Sequence, residues 1–202
     1  MSQKLLTIAF PTTEERTEQF NRFHNQLAEQ INKLDDPSMV EIISDNTGKE
    51  MPVGKKRTDL YLRSKGLYTF MPDDDDSVVP DFIEKVINAI IEHKPDCITY
   101  YESVEIDGEK SMANHSTKYN NWHDYPKWPE GFKYARTPYF KDVIKTEIAQ
   151  SVAVPELRWN EDEQWANALH PLLVTEYHID EVMYIYKTES TNPVEKYGLD
   201  RD

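Results

Sequence analysis

Apolar and polar positions along the first hundred residues alternate between two periods. Leu5-Leu6-Thr7-Ile8-Ala9-Phe10 is a short β-type run stopped by Pro11. Thr12 or Thr13 offers a cap for a following helix, with Glu14 and Glu15 in its first turn. Phe20, Phe23, Leu27, Ile31 and Leu34 then recur at steps of three and four, the spacing of one buried helix face, and Pro37 ends that unit. Val40 to Asp45 reads as a second strand with an acid at its carboxyl end. Gly54 precedes Lys55-Lys56-Arg57, and a helix through Leu60, Tyr61 and Arg63 is expected to stop at Gly66. Leu67-Tyr68-Thr69-Phe70-Met71 forms a third strand. After Pro80 comes a periodic helix with Phe82, Val86, Ile87, Ile90 and Ile91 facing inward, and Pro95-Asp96 turns into a fourth strand over Ile98 to Tyr101. Strand and helix in strict alternation predict an α/β fold with a parallel sheet covered by helices.

The second half is less regular. Val104 to Lys110 holds Asp107-Gly108, a hairpin turn signal. Met112 to Tyr139 is rich in Trp, Tyr, His, Asn and Pro, a composition expected of a long loop that covers a ligand or a neighbouring copy in a homo-oligomer. A helix is expected over Asp142 to Gln150, and another from Glu161 carrying Trp165, Ala168 and Leu169. Leu173 to Tyr177 and Val182 to Tyr186 read as two β-rich pieces. The division expected is one domain over 1–187, with halves at about 1–101 and 102–187, followed by a polar tail over 188–202.

Composition narrows the function classes. The 202 residues suffice to bury a core without staples, and 38% hydrophobic with 30% charged residues suits a water-exposed globular surface. A net charge of −14 argues against a broad basic face that grips nucleic acid through its phosphates. Cys97 is the single cysteine, so no intramolecular disulfide forms, and its apolar neighbours mark an inert buried thiol. No apolar stretch reaches the length of a membrane span and no secretory signal pattern opens the chain, so a cytoplasmic setting is expected.

Candidate chemistry concentrates at Asp73-Asp74-Asp75-Asp76. Four adjacent carboxylates repel one another. Either water solvates them on a loop, or a hard divalent cation such as Mn²⁺ or Mg²⁺ neutralises them. Their place at the carboxyl end of an apolar strand is where α/β sheets put ligand-binding residues. Lys56 and Arg57 stand at a helix start, either as a solvated turn or as a site for an anion.

Taken together, Val53-Gly54-Lys55-Lys56-Arg57, Gly66-Leu67-Tyr68, the four aspartates, Asn160-Glu161-Asp162-Glu163-Gln164-Trp165-Ala166 and the region Tyr177 to Tyr186 resemble the pattern of family-2 glycosyltransferases, over about residues 4 to 187. That resemblance implies a GT-A fold, a Rossmann-like mixed and mainly parallel sheet flanked by helices. It implies a nucleoside-diphosphate sugar as donor, a metal ion, and transfer to an acceptor hydroxyl with inversion. By residue, it makes Asp75 the leading metal ligand, Asp73 a ligand to metal or donor ribose, and Asp76 a helper through water. Asp74, grouped with the donor-binding residues, is expected to face away from Asp73 and Asp75, because neighbours on an extended segment point to opposite sides. Lys56 and Arg57 approach the donor, Asp45 touches its base, and Pro11 and Thr12 line the nucleotide pocket. Asp162 takes the acceptor's proton as general base, with Glu161 as its neighbour or substitute. His178 is a further, weaker metal candidate, equally readable as a strand histidine. His115, His123, Tyr119, Trp122, Tyr125, Trp128 and Tyr134 are either acceptor contacts or loop packing. The place where many relatives carry a basic, histidine-containing segment is filled by Arg136 to Lys141 without a histidine, leaving Arg136 and Lys145 as its basic groups.

The acceptor stays open among a glycan, a protein and a modified DNA base. Two other classes remain alongside: a non-catalytic binding module on the same fold, and a metal-dependent nucleotidyltransferase.

Overall fold

The computed structural model of the chain describes residues 3–124, 131–157 and 160–188. The polar tail over 189–202, Tyr125 and Trp128 lie outside the described residues. In chain order the elements of the first half are β1 (Leu6–Pro11), α1 (Thr17–Ile31), β2 (Val40–Asp45), α2 (Val53–Arg63), β3 (Tyr68–Phe70), β4 (Ser77–Val78), α3 (Phe82–His93) and β5 (Cys97–Ile106). The second half contributes β6 (Glu109–His115), β7 (His123–Asp124), β8 (Phe132–Arg136), β9 (Val143–Lys145), α4 (Thr146–Gln150), α5 (Glu161–Leu169) and β10 (Glu176–Thr188).

One mixed sheet runs through the molecule. β1 pairs in parallel with β2 on one side and β3 on the other. β9 lies antiparallel between β3 and the start of β5. β5 pairs in parallel with β10 along its length and turns through Asp107-Gly108 into the antiparallel β6. Asp107 and Gly108 both have positive φ, as a two-residue hairpin turn requires.

The period-two pattern of β1 explains the layers. Leu6, Ile8 and Phe10 enter one core with Phe23, Leu27, Phe70, Phe82 and Val86, beneath α1 and α3. Ala9 points to the opposite core, where Leu60, Tyr61, Phe140 and Trp165 bring α2 and α5 against the sheet. Phe10 meets the rings of Phe20 and Phe23 edge-on at 5.3 and 5.4 Å, whereas Trp165 stacks on Phe140 at 4.5 Å and Tyr61 at 5.3 Å. Phe10, Phe23, Phe140 and Trp165 are fully buried, and each contributes about 1.5–3 kcal/mol from removal of apolar surface alone.

Several local expectations are corrected. Val143 and Ile144 form a strand rather than the start of a helix, because both insert between β3 and β5 and are completely buried; the helix begins only at Thr146. Of the two late β-rich pieces, Glu176-Tyr177 and Val182 to Tyr186 belong to one strand, β10, with register shifts between Ile179 and Tyr184, while Leu173 to Thr175 stay outside it. Ile91 is 51% exposed, since the buried stripe of α3 already passes through Val86, Ile87, Ala89 and Ile90. Neither Thr12 nor Thr13 caps a helix with its side chain; a single 3-10 turn precedes α1. α2 ends at Arg63, and Gly66 serves a close approach instead: a Cβ there would stand 2.4 Å from the backbone nitrogen of Thr7.

Gly54 has the same role where it matters for the site. A Cβ on Gly54 would lie 1.8 Å from the carbonyl oxygen of Pro155, and its own amide donates to the Leu157 carbonyl at 3.3 Å. The start of α2 is thereby pressed against the segment leading to α5. Gly54→Ala is expected to force these backbones apart and cost about 1–3 kcal/mol, read as a lowered urea midpoint at unchanged slope.

Candidate active site

The parallel strands end together and bring their carboxyl-terminal residues to one place. Pro11 lies opposite Asp45 at the ends of β1 and β2, and the Thr12 amide donates to the Asp45 carbonyl at 2.9 Å. The Asp45 carboxylate accepts from the Thr47 amide at 2.9 Å and hydroxyl at 2.5 Å. Burial works against its charge, but those bonds and the nearby Lys56 outweigh it and hold Asp45 below the usual carboxylate range. Lys56, expected to face a donor, is buried and spends its ammonium on the Thr12 carbonyl, 2.6 Å away, and on the Thr47 carbonyl. It ties the ends of β1 and β2 into one wall; burial lowers its pKa.

Each of the four aspartates meets a basic side chain from elsewhere in the chain. Asp73 accepts from Arg57 of α2 at 2.8 Å. Asp74 accepts from the Thr12 hydroxyl at 2.5 Å and from Arg16 Nε at 2.7 Å. Asp75 pairs with Arg16 at 2.8 Å, and its carbonyl accepts from Arg22 at 2.7 Å. Asp76 accepts from the Tyr184 hydroxyl at 2.6 Å and lies 3.2 Å from Lys141 Nζ. Asp74 turns inward against β1, where Thr12 meets it, while Asp73 and Asp75 on either side stay 40% and 46% exposed; Arg16 nevertheless spans Asp74 and Asp75.

Behind Asp76 runs a buried chain of alternating charge. Lys141 bridges Asp76 and Glu102, the latter at 3.0 Å, and its ammonium sits over the Tyr186 ring at 4.0 Å. Glu102 accepts from His115 Nε2 at 3.1 Å, and His115 Nδ1 reaches Asp142 at 3.1 Å. Burial alone would strip charge from all of these groups. For His115 the two carboxylates win, raising its pKa to about 9 and leaving both ring nitrogens as donors. Glu102 falls to about 2 despite burial, under Lys141 and His115. Asp76 goes the other way: burial dominates, Lys141 offsets only part of it, and its pKa rises to about 7. His115, expected in the aromatic loop, is thus an interior residue of β6.

The start of α5 joins the same place through Arg57. Glu161 is buried 3.4 Å from Arg57 Nε, whereas Asp162, in the same first turn, is partly exposed, and one of its oxygens accepts from the Glu163 amide. The Arg57 guanidinium lies 4.1 Å over the Phe140 ring. His178 sits apart from the aspartates in its contacts: Nδ1 faces the Thr99 hydroxyl at 2.9 Å, and burial lowers its pKa. Lys145 pairs with Asp96 at the foot of β5, away from any acceptor role. Trp122 is committed to packing, its indole donating to Thr137 at 3.0 Å and its ring against Tyr139 at 4.9 Å, with Arg136 over its other side. Sequence reasoning did not single out Arg16, Lys141 or Tyr184; Tyr184 lies within the closing region Tyr177 to Tyr186 and Lys141 ends the basic segment, but neither position marks a partner for the aspartates.

A divalent cation fits part of this set. Among the described residues no three His, Cys, Asp or Glu side chains converge into a ready-made cage. Asp76 Oδ1, however, is buried with no hydrogen-bond partner, beside the half-exposed Asp73. A charged oxygen left without a donor is costly. A cation held by one or two carboxylates and completed by ligand phosphates would remove that cost.

The fold defined by this sheet and its flanking helices is the GT-A fold. Among solved structures the chain is similar to TarS of S. aureus, a family-2 GT-A glycosyltransferase. Against TarS 1–349 the TM-score is 0.64 at 14% identity, covering 96% of this chain and 62% of that one. Against the same protein with UDP-GlcNAc the TM-score is 0.58 at 12% identity, covering 93% and 60%; with UDP it is 0.58 at 13%, covering 96% and 62%. The chain therefore spans less than two thirds of the length of the TarS 1–349 chain it matches. No family model matches the chain, and no curated protein sequence does. No helix among the described residues is long and apolar enough to cross a membrane.

His115 gives a test of the buried chain. Its folded pKa of about 9 exceeds the unfolded value of 6.5. The stability it contributes is fully present below the unfolded value and is lost as pH rises through the folded one. Urea unfolding of the protein and of His115→Gln should show a stability difference of the order of 3 kcal/mol near pH 6 that vanishes by about pH 10.

Proposed function

We propose that the protein is a glycosyltransferase that moves a sugar from a nucleoside-diphosphate donor to an acceptor hydroxyl with inversion, Asp162 acting as general base. One juxtaposition carries the reading: Arg57 touches Asp73, just after β3, and Glu161 at the start of α5, so the acidic run and the turn carrying the partly exposed Asp162 are brought to one place. The UDP-GlcNAc and UDP bound in the TarS structures support UDP-sugars as the donors to try first.

In this reading Asp45, Pro11 and Thr12 form the wall beside the nucleoside, and Lys56 holds that wall in shape from behind. Asp73 and Asp76 are the residues that would hold Mn²⁺ or Mg²⁺. Asp75 joins them when Arg16 turns toward the diphosphate, while Asp74 keeps Arg16 within reach. A bound cation supplies Lewis-acid stabilisation of the charge that grows on the departing diphosphate. Asp162 takes the proton of the attacking hydroxyl, and Glu161 holds the turn that carries it. His178 makes its contacts on another stretch of β10 and has no part in this set. A net charge of −14 counts against DNA as acceptor and leaves a glycan or protein ahead of it.

Incubation with Mn²⁺ and a panel of nucleotide sugars, UDP-GlcNAc first, should release nucleoside diphosphate by slow donor hydrolysis. Asp162→Ala is expected to slow that release by about 10²–10⁴-fold while leaving UDP affinity within about threefold. Asp76→Ala should weaken Mn²⁺-dependent UDP binding itself. If no member of the panel is bound or turned over, the enzyme reading fails.

A further inference from the structure

Arg57 is shared between two groups with different tasks. Its Nη2 donates to Asp73 at 2.8 Å, and its Nε points at Glu161 Oε1 from 3.4 Å. That Nε is buried and makes no hydrogen bond. A guanidinium satisfied at one end and a few tenths of an ångström short of a bond at the other has two arrangements open to it. The rest of the residue is fixed: Phe140 lies flat beneath the guanidinium and the Met71 carbonyl accepts from Nη1 at 3.4 Å. Only the division of its charge between Asp73 and Glu161 is free to change.

The two carboxylates differ in access. The Asp73 side chain is 40% exposed, open to a ligand, whereas that of Glu161 is 8% exposed and meets Arg57. Glu161 is the first residue of α5, and Asp162 follows it directly. The cap of that helix is weak: Asn160 sits at φ 60° and its side chain makes no capping bond. Trp165 anchors the second turn on Phe140 and Tyr61, so Arg57–Glu161 is the contact that links the first turn to the aspartate run.

Resting on the donor reading above, we propose that Arg57 is a positioning residue that couples donor binding to placement of the base. A donor or cation engaging Asp73 weakens the pull of that carboxylate on Arg57. The guanidinium then closes on Glu161 and fixes the first turn of α5, setting Asp162. Arg57 is thus a link between the two halves of the cleft and not itself a phosphate contact. By linkage, whatever donor binding gains from an ordered α5 is lost equally when either partner of the contact is removed.

Amide hydrogen exchange of the whole protein with UDP and Mn²⁺ tests this. UDP should slow exchange over residues 162–165 by about fivefold or more, the low end of measured coupling between sites. Arg57→Gln should bind UDP and lose that protection. Arg57→Lys should behave like the glutamine variant, because a point charge cannot span both carboxylates, whereas a role of charge alone would be rescued. Glu161→Gln, which leaves the donor side intact, should abolish the same protection, and the double variant should bind UDP no more weakly than either single one. Full protection in Arg57→Gln, or a loss that only follows weakened UDP binding, would overturn the coupling. UDP binding by the wild type without protection of α5 overturns the coupling alone; failure of the wild type to bind UDP overturns the donor reading and this inference with it.

Discussion

Charge matching around Asp73–Asp76 is the constraint from which the rest of the site follows. Three basic side chains reach the run from three places far apart in sequence: Arg57 from α2, Arg16 from the turn before α1 and Lys141 from the segment before β9. A buried carboxylate left alone costs several kcal/mol, which falls on Asp74 and Asp76, the two buried members of the run, and makes Arg16 and Lys141 their necessary partners.

The matching is incomplete, and the gap is at Asp76. Lys141 is divided between Asp76 and Glu102, while His115 serves Glu102 and Asp142, so the buried chain holds three carboxylates and two cations. Replacing such a chain by apolar residues of equal volume would cost little stability or even raise it. What the chain leaves behind is one buried oxygen of Asp76 without a hydrogen-bond partner.

Much of this was readable beforehand, and the reasons are local. The alternation in β1, the helical stripe from Phe23 to Leu27 and the apolar run into the aspartates each depend on neighbours close in sequence. The turn at Asp107-Gly108 and the start of α5 at Glu161 were legible for the same reason. Val143-Ile144 was misread because two apolar residues carry no period, and only the slot between β3 and β5 decides their state. The partners of the aspartates were hidden for a deeper reason. Nothing about Arg16, Lys141 or Tyr184 in sequence says that they stand beside residues 58 or more positions away. His115 shows the limit most plainly, since one ring nitrogen to each of two buried acids leaves no trace in spacing.

The hairpin at Asp107-Gly108 stands at the other extreme from Gly54. A side chain added at Gly108 would meet no atom within 4 Å, whereas one at Gly54 would meet a backbone carbonyl at once. A graft between β5 and β6 therefore meets open space and has only the positive φ of Gly108 to contend with, whereas none is tolerated where α2 meets the segment before α5.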